Sequence, residues 1–582
     1  MPANIGRGVP MPQPSRSIAC SGRRATLTAV SVLNRASSST VLPDAACALR
    51  PSACPGLARI VAARDGGICR IKLPGGELSA AQADAIAHAS ARHAAGVIEL
   101  TNRANLQLRG VRGGEEAALI AALVDARLGP LPDGEAEGEA RLDARAADDI
   151  RNVMISPTAG RDPCALFDTR PLCAALLALL QSDARFAALS PKFALLVDGG
   201  ERLARLDHPH DVWLAAAQDG SGEIRFMFGL AGCPPAGATE SAAWAATQAA
   251  VSAATGAATG GLANAPASSR AQARANAPAS STTSAAGDAA GDAAANAAVN
   301  VAANAPTNAP PSAPPANPQG ALAAVLPSQV PALVRALLHT FLDLAAADAT
   351  RMRHLLAAQP VDAILQHAQT YVDFPLTRDA ALADWRRSTP ADAALRVGAH
   401  GERSAGTWHV GGQPLLGRID AHTLHGLASL ARQHGDGTLR ITPWQSVLLP
   451  AIATHAVPAV LAALKKLGLA CDSHDPATRL VACAGSSGCA KSLADTKADA
   501  LALAKHLPAG LDVHLSGCPR SCAAAHCAPF TLLAAAPGVY DLYRRDARPG
   551  FGECVARQLT IGRAAATLAR LARSEPMHDP DE

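Results

Sequence analysis

At 582 residues the chain is longer than one hydrophobic core serves, and about two to four domains are expected. Charged residues make up 17% and the net charge is +3, a near-balance that argues against nucleic acid or an anionic membrane as partner. No apolar run is long enough to span a bilayer, so no membrane partner is expected and a cytoplasmic protein is.

The first fifty residues carry Arg and Ser but no acidic residue before Asp44, a composition shared with transit peptides; they read as a disordered extension (1–50). Residues 78–109 (LSAAQADAIAHASARHAAGVIELTNRANLQLR) then begin a helix at Ser79, with Gln82 three residues on as in a capping box. The helix runs to Gly96 and gives way to an extended segment. Read as one strand from Val97, that segment puts Glu99, Thr101, Arg103, Asn105, Gln107 and Arg109 on one face and Ile98, Leu100, Leu106 and Leu108 on the other.

Further along, Lys192–Asp198 and Glu223–Phe228 read as strands, and the HPH of residues 208–210 as part of a loop. Residues 237–320 are almost wholly Ala, Asn, Pro, Ser, Thr and Gly, and are expected to be a disordered insert. Val330–Leu356 reads as one or two amphipathic helices.

Residues 419–450 (IDAHTLHGLASLARQHGDGTLRITPWQSVLLP) repeat 78–109 without a gap at an offset of 341, pairing Ser79 with Asp420, His93 with His434, Gly96 with Gly437 and Thr101 with Thr442. The second copy has Trp444, Ser446 and Leu448 where the first has Arg103, Asn105 and Gln107, so the polar face belongs to one copy. Two copies of one α/β unit point to a pseudo-twofold domain drawn from both halves of the chain, and such internal symmetry suggests a monomer.

Of the fourteen cysteines, Cys483, Cys489, Cys518, Cys522 and Cys527 crowd one short region, which argues for metal binding over a disulfide framework. The first four are spaced C-x5-C, 28 residues, C-x3-C. Both pairs sit among small residues, ACAGSSGCAKS opening into an expected helix Lys491–His506, and SGCPRSCAAA following a short strand at Val513–Leu515. A cubane needs four thiolates, one per corner iron, and backbone close enough to reach its sulfides. A [4Fe–4S] cluster on Cys483, Cys489, Cys518 and Cys522 is therefore expected; structural zinc and buried free cysteine are the alternatives, and the five-residue gap is wide for zinc. Cys527 and His526 are spare donors with a core role expected. No G-x-G-x-x-G after a strand and no Walker loop is present, so electrons must come from outside the chain.

These cysteines, the repeat, and the segments TNRANLQLRG (101–110), RNVMISPTAG (151–160) and SPKFALLVDGG (190–200) resemble the sulfite/nitrite reductase superfamily. CPGLARI at Cys54, VHLSGCPRSC and APFTLLAAAPGVYDLYR are most similar to its cobalamin-pathway branch, the precorrin-3B synthases. The resemblance implies an α+β fold, with two ferredoxin-like half-domains forming a pseudo-twofold domain plus two α/β lobes. The expected pieces are half-domain 1 (51–125), a first lobe (145–236 and 321–390), half-domain 2 (395–470) and an iron–sulfur lobe (475–575). In reductase relatives, two arginines matching Arg103 and Arg151 and two lysines ring the anion; here Lys192 matches the first lysine and Ala194 replaces the second.

The resemblance further implies oxygen-dependent hydroxylation and lactonisation of precorrin-3A, with the cluster, a mononuclear non-haem iron, O2 and an external NADH-dependent electron donor. Arg103, Asn105, Gln107, Arg109, Arg151 and Lys192 are the expected contacts to the tetrapyrrole carboxylates, arginine because its planar fork binds them in pairs. No residue is assigned a catalytic role and no two-His-one-carboxylate spacing stands out. A sirohaem-dependent sulfite or nitrite reductase is the rival reading, a plain iron–sulfur carrier a third.

Overall fold

The computed structural model describes residues 54–130, 143–236, 320–508, 510–524, 528–546 and 550–574. The extension expected at 1–50, the insert up to residue 319, and His526 and Cys527 lie outside them. In chain order come β1 (Val61–Ala63), β2 (Gly66–Ile71), β3 (Glu77–Ser79), β4 (Val97–Leu100) and β5 (Leu106–Val111). Next are β6 (Val153–Met154), β7 (Leu195–Asp198), β8 (His210–Gln218), β9 (Ile224–Gly232) and β10 (Ala323–Val325). Then follow β11 (Gly398–Gly401), β12 (Thr407–Pro414), β13 (Arg418–Asp420), β14 (Thr438–Ile441), β15 (Val447–Ala453) and β16 (Leu469–Ala470). The last are β17 (Leu480–Ala482), β18 (Val513–Ser516), β19 (Phe530–Ala536), β20 (Val539–Arg544) and β21 (Glu553–Thr560).

The repeat is a structural one. Helix Ala80–His93 and helix Ala421–His434 start and stop at equivalent residues, as do helices Glu116–Asp125 and Val457–Lys466. Ser79 accepts the Gln82 N–H while Gln82 returns a bond to Ser79 N–H, and Asp420 accepts the Thr423 N–H; such caps are worth about 1 kcal/mol each. Each copy also lends one strand to the other. β13 completes the first sheet beside β4, and β3 completes the second beside β14, which locks the two halves into one domain. Their shared core joins residues such as Leu78, Ile86 and Leu106 to Leu427, Leu439 and Val447, all fully buried.

The first strand expected in the repeat needs correction. Residues 97–109 are not one strand but a hairpin, β4 turning into β5. The Thr101 hydroxyl accepts the Asn105 N–H at 3.1 Å, and Ala104 takes a positive φ of 56°. The second copy turns identically, with Thr442 holding Ser446 and Gln445 at 65°. Alternation survives the turn, because antiparallel pairing sets Glu99 opposite Gln107 and leaves Ile98, Leu100, Leu106 and Leu108 in the core.

The remaining two sheets share one plan the sequence did not reveal. Both run in chain order, β6 to β10 and β17 to β21, with the first three strands parallel and the last two antiparallel. The stretch expected as helices at 330–356 is two helices, Val330–Leu344 and Met352–Ala358. His210 opens β8 rather than lying in a loop. The first sheet holds a titratable oddity at the end of β7. Glu201 is fully buried, accepts the Gly199 N–H, and is pushed up to about 8 by burial and then by Asp198. The folded chain thus keeps a proton that the unfolded chain, at about 4.5, releases. This contribution to stability is complete below pH 4.5 and is lost as pH rises towards 8. Melting temperatures between pH 5 and 8 should fall less steeply for Glu201→Gln than for the native protein.

Candidate iron–sulfur centre and substrate cradle

The four expected cluster ligands leave the carboxyl ends of two neighbouring parallel strands. Cys483 and Cys489 follow β17, separated by a single helical turn, Gly485–Gly488, and Cys518 and Cys522 follow β18. Parallel strands end on the same side, so both loops open at one edge, where α/β sheets hold their ligands. The expected helix Lys491–His506 is shorter, Thr496–Ala504, because Asp495 caps it and residues 491–494 fold back instead. Leu493 N–H bonds Gly517 O across the two loops, and a Cβ on Gly517 would stand 1.7 Å from Ser492 Oγ, so only glycine lets them close up.

These cysteines fit a cubane. Burial, and then the neighbouring sulfurs, raise the Cys518 and Cys522 thiols, each feeling both Cys483 and Cys489. Thiols that resist ionisation in one another's company are those a polycationic cluster relieves. The Gly517 N–H reaches Cys483 Sγ at 3.3 Å, as does the Thr496 hydroxyl. Among the described residues no three His, Cys, Asp or Glu side chains converge on a single-ion site. His208 and His210 stand with their rings 5.2 Å apart.

The polar face of the first half-domain sheet lies against these loops. Arg70, Gln107, Glu99 and Arg418 form one row across β2, β5, β4 and β13. Arg70 donates to Gln107 Oε1 at 3.0 Å, and Arg418 to Glu99 Oε1 at 2.7 Å. Arg109 grips Asp65 with two nitrogens and donates to Gly488 O at 2.9 Å. Its fork is filled, and it faces the Cys489 loop. Asn105 is buried with its carbonyl accepting Leu73 N–H.

Arg103, at the hairpin tip, has no hydrogen bond or ion pair for its guanidinium among the described residues. Burial, then Arg351 and Arg70, push it down to about 10, against Asp211 and Cys54. Arg151, half-buried, faces Asp148 at 3.8 Å. Arg70 Nε, Arg151 Nη1 and Asn102 Nδ2 are buried donors without a hydrogen-bond partner among the described residues. Lys192 is exposed, and Ala194 is buried with its N–H on Asp211, whose carboxylate also carries Arg351. Lys72, which sequence reading missed, is pushed down to about 8 by burial and bonds the carbonyls of Asp148 and Asp149. Arg351 was missed too, and His210 had been read as part of a loop. His210 is buried beside Arg103 and Arg351, and burial, then those two cations, hold it down to about 3. The alternation of CRIK at 69–72 and the HPHD run at 208–211 were the available signals.

Comparison with known proteins matches these parts. The nitrite/sulfite reductase ferredoxin-like half domain matches residues 62–126 and 400–467, the two copies of the repeat. The nitrite and sulphite reductase 4Fe–4S domain matches residues 146–376, which is the first lobe; the four cysteines lie outside that match. A ferredoxin–nitrite reductase of Synechococcus elongatus is 26% identical over 80% of this chain and 76% of its own. A precorrin-3B synthase of a Sinorhizobium species is 24% identical over 90% of this chain and 89% of its own. The NirA protein of Mycobacterium tuberculosis shares the fold, with a TM-score of 0.60, 17% identity, and coverage of 89% of this chain and 82% of that one. With both half-domains, the lobe between them and near full-length relatives accounted for, the chain belongs to the nitrite and sulfite reductase superfamily of iron–sulfur oxidoreductases.

Proposed function

We propose that this chain is a precorrin-3B synthase. It would hydroxylate precorrin-3A at the meso carbon between rings A and D, with lactone formation by the ring A acetate. One oxygen atom of O2 enters the product and the other leaves as water, taking two electrons and two protons from an NADH-dependent donor outside the chain. A [4Fe–4S] cluster on Cys483, Cys489, Cys518 and Cys522 would supply one-electron transfer, which side chains alone do not provide.

The observation that carries this reading is Ala194. A reductase working on a small anion needs cations packed around it to stabilise charge as electrons arrive. Here one is replaced by a methyl group whose backbone is tied to Asp211. What remains is a spread of guanidinium groups, Arg103, Arg151, Arg70 and Arg351, suited to several separate carboxylates on one large ligand. In this reading Arg103 and Arg151 hold carboxylates, Lys192 closes over them from the exposed rim, and Asn105, Gln107 and Arg109 shape the site by fixing its hairpin and the cysteine loop. A sirohaem-dependent nitrite reductase is the second reading, favoured by the 26% identity to such an enzyme. The absorption spectrum of the purified protein tests the choice: the synthase has the broad visible band of an iron–sulfur protein without a haem Soret band, and a strong Soret band contradicts it.

A further inference from the structure

The two half-domains carry one ion pair at equivalent positions with the charges exchanged. In the first sheet Glu99 on β4 pairs with Arg418 on β13, and in the second Arg440 on β14 pairs with Glu77 on β3, at 2.7 and 2.6 Å. The repeat offset turns Glu99 into Arg440 and Glu77 into Arg418. Among the described residues, only the Glu99 member reaches on to the cysteine lobe. Its Oε1 lies 3.7 Å from Lys497 Nζ, in the first turn of helix Thr496–Ala504, whose neighbour Thr496 touches Cys483 Sγ. Its Oε2 lies 3.5 Å from Arg109, which donates to the carbonyl of Gly488 just before Cys489. Each carboxylate oxygen thus leads through one cation towards one cysteine of the loop after β17, Cys483 on one side and Cys489 on the other.

This carboxylate is nearly buried, with 12% of its side chain exposed, and so are Lys497 at 10% and Arg109 at 3%. Charges this far from water are weakly screened and act strongly on their surroundings. Burial would raise the Glu99 carboxyl, but Lys497, Arg109 and Arg418 outweigh it and hold the group ionised below the usual range. Burial lowers Lys497, while Glu99 and Cys483 counter it. The Lys497 ammonium also donates to Leu416 O at 2.9 Å, which fixes its place.

We propose that Glu99 is a positioning residue for the cluster: it holds Lys497 and Arg109 against the loop that carries Cys483 and Cys489 and, by its own charge, sets the reduction potential there. The inference rests on the cluster assignment above but not on the identity of the substrate. Reduction adds negative charge, so a nearby anion opposes it and a nearby cation favours it.

The experiment is a potentiometric titration of the full-length, cluster-loaded protein, followed by the paramagnetic signal of the reduced cluster. Glu99→Gln should shift the midpoint positive and Lys497→Gln should shift it negative. The double variant, which removes one charge of each sign, should return close to the native midpoint. Lys497→Gln keeps a donor for Leu416 O, so it carries the test even where Glu99→Gln loads poorly. Cluster-loaded variants that keep the native midpoint, or single variants that shift in the same direction, overturn the proposal. Absence of a [4Fe–4S] signal in the native protein overturns the cluster assignment itself and this inference with it.

Discussion

Cys489→Ser should lose the cluster: the broad visible absorption disappears and bound iron falls to near background, while the protein remains folded. The reason is the ligand rather than the loop. Cys489 N–H bonds Gly485 O at 2.8 Å and its carbonyl accepts Ser492 N–H at 3.2 Å, contacts that serine keeps because they are backbone contacts. What serine lacks is a soft, anionic sulfur, since an alcohol does not ionise near neutral pH and thiolate is what iron–sulfur clusters require. The same change at Cys471 or Cys554, free cysteines at the end of the second half-domain and on β21, should leave absorption and iron content unchanged. Retention of full absorption by Cys489→Ser removes that residue from the ligand set; loss in the two controls removes the distinction between the four and the rest.

Arg103→Gln should weaken binding of a tetrapyrrole polycarboxylate by about 10- to 100-fold without lowering the melting temperature. A charge-assisted hydrogen bond contributes about 1.5–3 kcal/mol, and each 1.4 kcal/mol is roughly tenfold in affinity. The folded protein gains nothing evident from the charge. Arg103 is half-buried, has no anion of its own among the described residues, and is crowded by Arg351 and Arg70. Glutamine removes that repulsion while leaving the turn, which is held by the Thr101 hydroxyl and the backbone. Stability should therefore stay level or rise as binding falls. Calorimetric binding together with a melt separates the cases: unchanged affinity, or weaker affinity with a lower melting temperature, contradicts a binding role.

The legible part of this molecule was whatever recurs in the chain or depends on local chemistry. The 341-residue offset revealed both half-domains because helix caps at Ser79 and Asp420 and glycines at 96 and 437 are local signals that recur. The cysteine spacing likewise pointed to loops, and loops are what follow β17 and β18. Hairpin turns were less legible. The odd–even alternation of residues 97–109 is the same whether the chain runs straight or doubles back, and the positive φ at Ala104 comes without a glycine to announce it. The partners of the polar face were beyond reach altogether. Arg109 looks like a ligand-binding arginine until Asp65 and the carbonyl of Gly488, 379 residues on, fill its fork. Lys72 sits in an alternating run and His210 in HPHD, but neither pattern names a partner, and packing of the first lobe against the hairpin is what brings Arg351 and His210 beside Arg103.

The matching plan of the two lobes gives the asymmetry a physical reading. Both sheets end their parallel strands at an edge, but one edge carries four cysteines and the other carries Asp198, Glu201 and the guanidinium of Arg387. The shared plan thus ends once in four cysteines and once in a buried ionic cluster. The exchanged pairs Glu99–Arg418 and Arg440–Glu77 repeat that division within the half-domains.

The most direct test of the functional reading is a single-turnover reaction. Reduced, cluster-loaded protein is mixed anaerobically with precorrin-3A, then exposed to oxygen, and the tetrapyrrole is examined by mass spectrometry. The account predicts a hydroxylated lactone carrying one oxygen atom from labelled O2. Recovery of unaltered precorrin-3A from protein that holds the cluster and binds the substrate would contradict it.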